Sequence, residues 1–120
     1  MSPMQRSLAW LREHGYEAQK VEYWNHYAKR RVDLWGIDIL AMNDNHLLAV
    51  QTTDGGHHAE HVEKILASPA AKLLAHHARV EVWSWSVKVT RERRGDGFLD
   101  KRKRTQLRRD NLTAKLRNRE

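Results

Sequence analysis

The stretch between positions 31 and 53 constrains the fold of this chain more than any other. Two apolar runs, 32–42 and 47–53, are separated by the polar segment 43–45, which reads Asn-Asp-Asn. Asparagine and aspartate tolerate the backbone angles of tight turns, and short apolar runs on either side of a turn indicate paired strands. The stretch therefore predicts a β-hairpin with two largely buried strands. If the turn is centred on positions 44 and 45, facing residues have numbers that sum to 89.

One carboxylate interrupts the first apolar run. Asp38 lies opposite Gln51 in this register, and Thr53 lies on the same face because side chains alternate along a strand. Four apolar residues are predicted to lie on the other face: Ile37, Ile39, Leu48 and Val50. An ionised carboxylate among apolar residues destabilises the fold unless amides, water or a cation compensate it. Asp38 is therefore either a structural acid or a metal ligand, and the residues alone leave both open.

The hairpin resembles the core of the PD-(D/E)XK nuclease superfamily, in which an Asp on one strand and an acidic-x-Lys triplet on the next bind a divalent metal. Asp38 matches the first Asp, and the segment Gln51-Thr52-Thr53 lies where the triplet is expected, with twelve residues between Asp38 and Gln51. The resemblance covers about residues 2 to 90 and is to small Holliday-junction-resolvase-like and phage nucleases. It implies an α/β fold, a restriction-endonuclease-like mixed β-sheet flanked by helices in the order helix-strand-strand-strand-helix-strand.

The triplet departs from the superfamily at two positions. Gln51 replaces the second carboxylate, which leaves an oxygen ligand but removes its charge. Thr53 replaces the lysine and cannot stabilise charge that develops on a phosphate. The next predicted helix offers Lys64, or a histidine between positions 57 and 61, as a replacement for that lysine. A plain surface lysine is the alternative for Lys64.

Two further acids are candidates for the site. The resemblance makes Glu13 a possible extra acid, because several such nucleases carry an acidic residue on their first helix; a solvated helix end is the alternative. Asp33 competes with Asp38 for the metal. We prefer Asp38, because it is flanked by isoleucine on both sides and faces Gln51.

Charge divides the chain unevenly. Residues 1–90 carry ten Lys+Arg and ten Asp+Glu, whereas residues 91–120 carry twelve against five, so the whole excess of +7 lies in the last quarter. We predict a nuclease-like α/β domain over 1–90 and a basic hairpin or tail over 91–120 that binds nucleic acid. The absence of cysteine fits a reducing compartment, and no apolar run approaches the roughly 20 residues of a membrane span.

Basic residues that are expected to contact nucleic acid fall into two groups. The first accompanies three aromatic residues between positions 23 and 27 and consists of Lys29, Arg30 and Arg31. The second flanks the turn at 95–97 and consists of Arg91, Arg93, Arg94, Lys101, Arg102, Lys103, Arg104, Arg108 and Arg109. The second group predicts a basic hairpin with a short helix through Leu112 and Leu116 after it, or else a tail that is disordered until it binds.

These features predict a metal-dependent DNA endonuclease that selects its substrate by structure. Asp38, Gln51 and the Thr52 carbonyl would hold Mg²⁺ or Mn²⁺, and Thr53 would contact water or phosphate. One alternative is a catalytically degenerate DNA-binding module on a nuclease fold, and another is an interaction protein with a basic tail for RNA or an acidic partner. The composition predicts a cytoplasmic protein without membrane contact, and the resemblance implies a bacterial or phage-infected host cell. The resemblance also leaves a homodimer open.

Overall fold

The centre of the protein is a mixed five-stranded β-sheet flanked by helices, in a computed structural model that describes residues 1–118. The elements in chain order are α1 (Pro3–Glu13), β1 (Glu17–Lys20), β2 (Tyr23–Asn25), β3 (Arg30–Val32), β4 (Ile39–Met42), β5 (Leu47–Asp54), a 3-10 turn (Gly55–His57), α2 (His58–Leu66), α3 (Pro69–Leu74), β6 (Arg79–Arg93), β7 (Leu99–Asn111) and α4 (Thr113–Asn118). The sheet has the order β1-β4-β5-β6-β7, while β2 and β3 form a separate hairpin. The only parallel pair among these described strands is β5 with β6, which α2 and α3 connect.

The predicted turn and register of the central hairpin are confirmed. The Asn43 side chain accepts hydrogen bonds from the amides of Asn45 and His46, at 2.9 and 2.8 Å, and so holds the turn. Ile39 pairs with Val50, and the remaining β4–β5 pairs also sum to 89. The turn fixes the register because a one-residue slip would move every buried side chain to the other face.

The first strand of the predicted hairpin is shorter than its apolar run, because β4 begins only at Ile39. Trp35 and Gly36 have φ of 57° and 82°, and an isolated bridge joins Leu34 to Ile37, so the chain makes a tight turn there. Glycine is favoured at position 36 because its φ is positive, and a Cβ there would also lie only 3.1 Å from Ile65 Cδ1. Ile37 consequently packs with α2 and α3, and not with Ile39 as predicted.

Two apolar clusters cover the two faces of the sheet. On one face Leu11 of α1 packs against Ile39, Leu48, Val50 and Trp83. On the other face the residues of α2, α3 and α4 pack over β5 and β6. Helix α1 begins with a capping box, in which the Ser2 hydroxyl accepts from the Gln5 amide at 3.2 Å and the Gln5 side chain accepts from the Ser2 amide at 3.1 Å.

The C-terminal segment is part of the folded core and does not separate at residue 90 as predicted. Leu112 and Leu116 are fully buried in the same cluster as Val80 and Val82, and the Thr113 hydroxyl accepts from the Val80 amide at 3.0 Å. The predicted short helix is present as α4, which contains Leu116 and begins directly after Leu112. The last two residues of the predicted tail, 119 and 120, lie outside the described part of the chain.

The predicted basic hairpin is present as the outer halves of β6 and β7. Pairing runs from Glu81 with Asn111 to Arg93 with Leu99, and residues beyond position 87 on β6 are exposed. This arm lengthens the molecule to 58 Å and gives a radius of gyration of 17.2 Å, against roughly 13.5 Å for a compact chain of this length. No helix in residues 1–118 is long and apolar enough to cross a membrane.

Candidate active site

Asp38 is held by the backbone between two strands. Its amide donates to the Val50 carbonyl at 2.9 Å, and its carbonyl accepts from the Val21 amide at 2.8 Å. The bond to Val21 continues the β1–β4 ladder by one residue. Val50 already pairs with Ile39, so Asp38 and Ile39 both lie opposite Val50, as in a β-bulge. The carboxyl group therefore leaves the sheet at a fixed position, at the point where β1, β4 and β5 meet.

The Asp38 side chain contacts Gln51 of β5, as predicted, but it lines the cleft together with Thr52 and not with Thr53. Its Oδ2 accepts from Gln51 Nε2 at 2.9 Å and from the Thr52 amide at 3.0 Å, and the residue is only 4% exposed. Gln51 Oε1 is buried and has no hydrogen-bond partner among residues 1–118. Half a turn of the terminal amide would exchange its nitrogen and oxygen and bring that oxygen towards the carboxylate.

A second acid, which the sequence analysis missed, lies beside Asp38. The pKa of Asp38 is raised from 3.8 to about 7, chiefly because the carboxyl group is buried. The hydrogen bond from the Thr52 amide lowers this pKa, whereas a hydrogen bond to Glu22 and the charges of Glu22 and Asp33 raise it. Glu22 in turn forms an ion pair with Arg31 at 2.8 Å. Two adjacent carboxyl groups that disfavour each other's charge form a site for a proton or a cation.

A cleft of about 430 Å³ opens over these acids. Its walls are residues 2–5 at the start of α1, together with Lys20, Glu22, Arg31, Asp38 and Thr52. All the possible metal ligands in it are oxygen atoms, which suits a hard cation such as Mg²⁺ or Mn²⁺. Lys20 and Arg31 place positive charge beside the acids, and either can contact a phosphate.

The other residues of the expected triplet have different roles. Thr52 lines the cleft, and its hydroxyl forms a hydrogen bond with the Ser7 hydroxyl of α1 at 2.9 Å. Thr53 is buried and does not line the cleft, because it points to the opposite face of β5 from Thr52. A basic side chain at position 53 would therefore lie close to α2 and not in the cleft. The positive charge of the cleft comes from Lys20 of β1 and Arg31 of β3.

Two candidates are not brought to the cleft. Glu13 lies at the exposed C-terminal end of α1, whereas the cleft lies at its N-terminal end, about 15 Å away along an axis that rises 1.5 Å per residue. Lys64 is exposed on α2, which covers the face of the sheet opposite α1. We therefore remove Glu13 and Lys64 from the candidate site, and Glu22 and Lys20 take their places.

The histidines near the start of α2 are not in the cleft either. His58 is buried, with Nδ1 2.6 Å from the Ser84 hydroxyl and Nε2 3.0 Å from the Asp110 carboxylate. The hydrogen bond to His58 lowers the pKa of Asp110. Ser84 is only 2% exposed and cannot meet a substrate, so this serine–histidine–aspartate chain ties α2 to β6 and β7.

One residue of the predicted nucleic-acid surface has a structural role instead. Arg109 forms a two-point ion pair with the buried Glu81, at 2.9 and 3.2 Å, and its guanidinium lies between the rings of Trp10 and Trp83. The indole of Trp83 also donates to Glu81 at 3.0 Å. These contacts hold the guanidinium of Arg109 against the sheet, although about a third of its side chain, 33%, is exposed. The other predicted basic residues are exposed: Lys29, Arg30, Arg31, Arg91, Arg93, Arg94, Lys101, Arg102, Lys103, Arg104 and Arg108.

Comparisons of the chain with protein-family models, with curated proteins and with solved structures found no significant match. The assignment of function accordingly depends on the arrangement of the chain's own residues, above all on the acids of the cleft and on the basic arm.

Proposed function

We propose that the protein is a metal-dependent nuclease that hydrolyses phosphodiester bonds of DNA in the cleft beside Asp38. The observation that carries the proposal is the meeting of two acids, Asp38 and Glu22, at the wall of the cleft. Gln51 Nε2 donates to Asp38 there, and Gln51 Oε1 has no hydrogen-bond partner among residues 1–118. Such a group of oxygens is better satisfied by a divalent cation than by protein donors. Nucleic acid is the favoured substrate because the cleft is also lined by two basic side chains, Lys20 and Arg31, and the chain has a basic arm.

In this proposal Asp38 and Glu22 hold the cation, and Gln51 supplies a neutral oxygen after its amide rotates. A bound Mg²⁺ or Mn²⁺ lowers the pKa of water and neutralises charge on a phosphate. Arg31 holds Glu22 in place and faces the phosphate. Lys20 supplies the positive charge that Thr53 cannot, because it lines the same cleft as Asp38.

The arm formed by β6 and β7 serves as the contact with duplex DNA. A two-stranded ribbon fits the major groove, and lysine and arginine along it neutralise phosphates. The α1 side of the arm carries Arg91 paired with Lys101, and Lys103 paired with Val89. This is the side from which Trp85 donates to the Ser7 hydroxyl of α1 at 2.8 Å, and α1 forms a wall of the cleft.

Neutralising the α1 side of the arm should weaken duplex binding and reduce its dependence on salt. Changing Arg91, Lys101 and Lys103 to glutamine removes three cations that contact phosphates. The slope of log affinity against log salt should become smaller by about 2 to 3, close to one per lost contact. Fluorescence anisotropy with a labelled duplex at several salt concentrations measures this slope.

A matched variant tests which side of the arm faces DNA. Lys88 and Arg104, which pair with each other, and Arg102 lie on the opposite side. Changing these three residues to glutamine removes the same charge but should reduce the slope by less than about 1. Equal changes in the two triple variants would contradict the assignment of the α1 side.

A catalytically silent DNA-binding module is the alternative, and it is favoured because position 53 is threonine and not the lysine of the triplet. It predicts that DNA binds without metal and is never cut. Incubation with plasmid, single-stranded and branched DNA in the presence of Mg²⁺ or Mn²⁺ separates the two functions. The nuclease proposal predicts cleavage that EDTA abolishes. Binding without cleavage under every metal condition would leave the silent module.

A further inference from the structure

The β2–β3 hairpin presents aromatic side chains to solvent next to the cleft. Tyr23 and Trp24 are about half exposed and Tyr27 is fully exposed at the tip. The tip is ordered by Asn25, whose side chain accepts from the amides of Tyr27 and Ala28 at 2.9 and 3.0 Å. Three exposed aromatic residues within five positions form an apolar surface that the rest of the described fold does not cover.

A hollow of about 300 Å³ connects this hairpin to the cleft. It is lined by Tyr23, Trp24, Lys20, Glu22 and Arg31, and the last three of these also line the cleft at Asp38. Trp24 faces Arg31 across the hairpin. A continuous path therefore runs from the aromatic rings past Arg31 and Glu22 to Asp38.

The charge of this surface selects its partner. Lys20 and Arg31 line the hollow together with Tyr23 and Trp24, and Arg31 is paired with Glu22. Lys29 and Arg30 are exposed on the same hairpin. Aromatic rings stack on unpaired bases while neighbouring cations hold the sugar-phosphate backbone. Bases within a duplex are already stacked on each other and cannot reach the rings.

We propose that the β2–β3 hairpin binds unpaired bases of DNA, so that the substrate combines a single-stranded segment at this hairpin with a duplex at the arm. The strand then passes from Trp24 into the cleft at Asp38. The proposed nuclease function enters only in placing the scissile phosphate at Asp38; the binding of unpaired bases does not depend on it.

Replacing Trp24 by leucine tests the platform, because leucine keeps apolar bulk but removes the ring. The full chain in EDTA is titrated with a labelled thymidine oligonucleotide and with a duplex of equal length. Affinity for the single strand should fall roughly 5- to 150-fold, the effect of one lost base stack, while duplex affinity changes less than about twofold. Trp24→Phe keeps a ring and should retain single-strand affinity within about threefold.

Trp35→Leu is the matched control. Trp35 has nearly the same exposure as Trp24, 57% against 51%, but it lies beside α3 and away from the cleft. Its substitution should leave single-strand affinity unchanged. The inference is overturned if Trp24→Leu binds the oligonucleotide like the wild type, or loses duplex affinity to the same extent. Because no cleavage is involved, a nuclease assay without product would reject the proposed function and leave this result intact.

Discussion

Changing Asp38 to asparagine is expected to reduce metal-dependent DNA cleavage at least a hundred- to a thousandfold, since a bound cation stabilises the transition state by several kcal/mol and each 1.4 kcal/mol is about tenfold in rate. Asparagine keeps an oxygen that can accept from the Thr52 amide and from Gln51, but it loses the charge that attracts the cation. Initial rates with Mn²⁺ and a plasmid substrate measure the effect. Asp33→Asn is the matched control, because it removes the same charge from a side chain that accepts from the Gly36 amide at 3.0 Å.

The stability of the Asp38→Asn variant shows whether lost activity reflects lost folding. The folded chain holds a proton on Asp38 up to a pKa of about 7, whereas the unfolded chain releases it near 3.8, so the wild type loses stability as pH rises from about 4 through 7. Asparagine does not titrate and can donate to Glu22. In EDTA at pH 8 the variant should therefore be more stable than the wild type, by about 1 to 4 kcal/mol in urea denaturation. An inactive variant that is also less stable would point to misfolding instead.

Breaking the ion pair of Arg109 should have the largest effect on stability. Arg109→Met leaves the Glu81 carboxylate buried, with only the Trp83 indole at 3.0 Å and the more distant Arg79 at 3.9 Å. Removing one partner of a buried ion pair typically costs 3 to 5 kcal/mol, because the remaining charge stays desolvated. Chemical denaturation at neutral pH should show a loss of about this size.

The neighbouring arginine provides a control in the same strand. Arg108 points to the opposite side of β7 and is 69% exposed, so Arg108→Met should change stability by less than about 0.5 kcal/mol. Arg109→Lys keeps a charge but cannot form the two-point contact, and its stability should lie between the wild type and Arg109→Met. Equal losses for the two methionine variants would mean that general charge, and not the buried pair, stabilises the sheet.

Local patterns accounted for the parts of the fold that sequence could predict. The Asn43 turn and the alternation along β5 were sufficient to place Asp38 against Gln51, because a two-residue period permits one register with a buried face. The spacing of Leu112 and Leu116 likewise predicted a terminal helix. That spacing could not show that Leu112 and Leu116 pack against Val80 in the core, because contacts between distant segments leave no local signal in the sequence.

The remaining site residues depended on contacts that no single segment encodes. Glu22 meets Asp38 because it follows Val21, whose amide donates to the Asp38 carbonyl across the sheet, and no pattern near Glu22 in the sequence indicates that pairing. Arg109 looks like any other cation in a basic run. Its ion pair and ring contacts depend on Glu81 of β6 and Trp10 of α1, which only the completed fold brings to it.

Isothermal titration calorimetry of Mn²⁺ binding to the full chain at pH 8 tests the central claim most directly. We expect the wild type to bind a single ion, Glu22→Gln to bind it at least about tenfold more weakly, and Asp38→Asn to show no binding at that site. Asp33→Asn should bind like the wild type. If Asp38→Asn binds Mn²⁺ as tightly as the wild type, or if the wild type binds none, the cleft beside Asp38 is not a metal site.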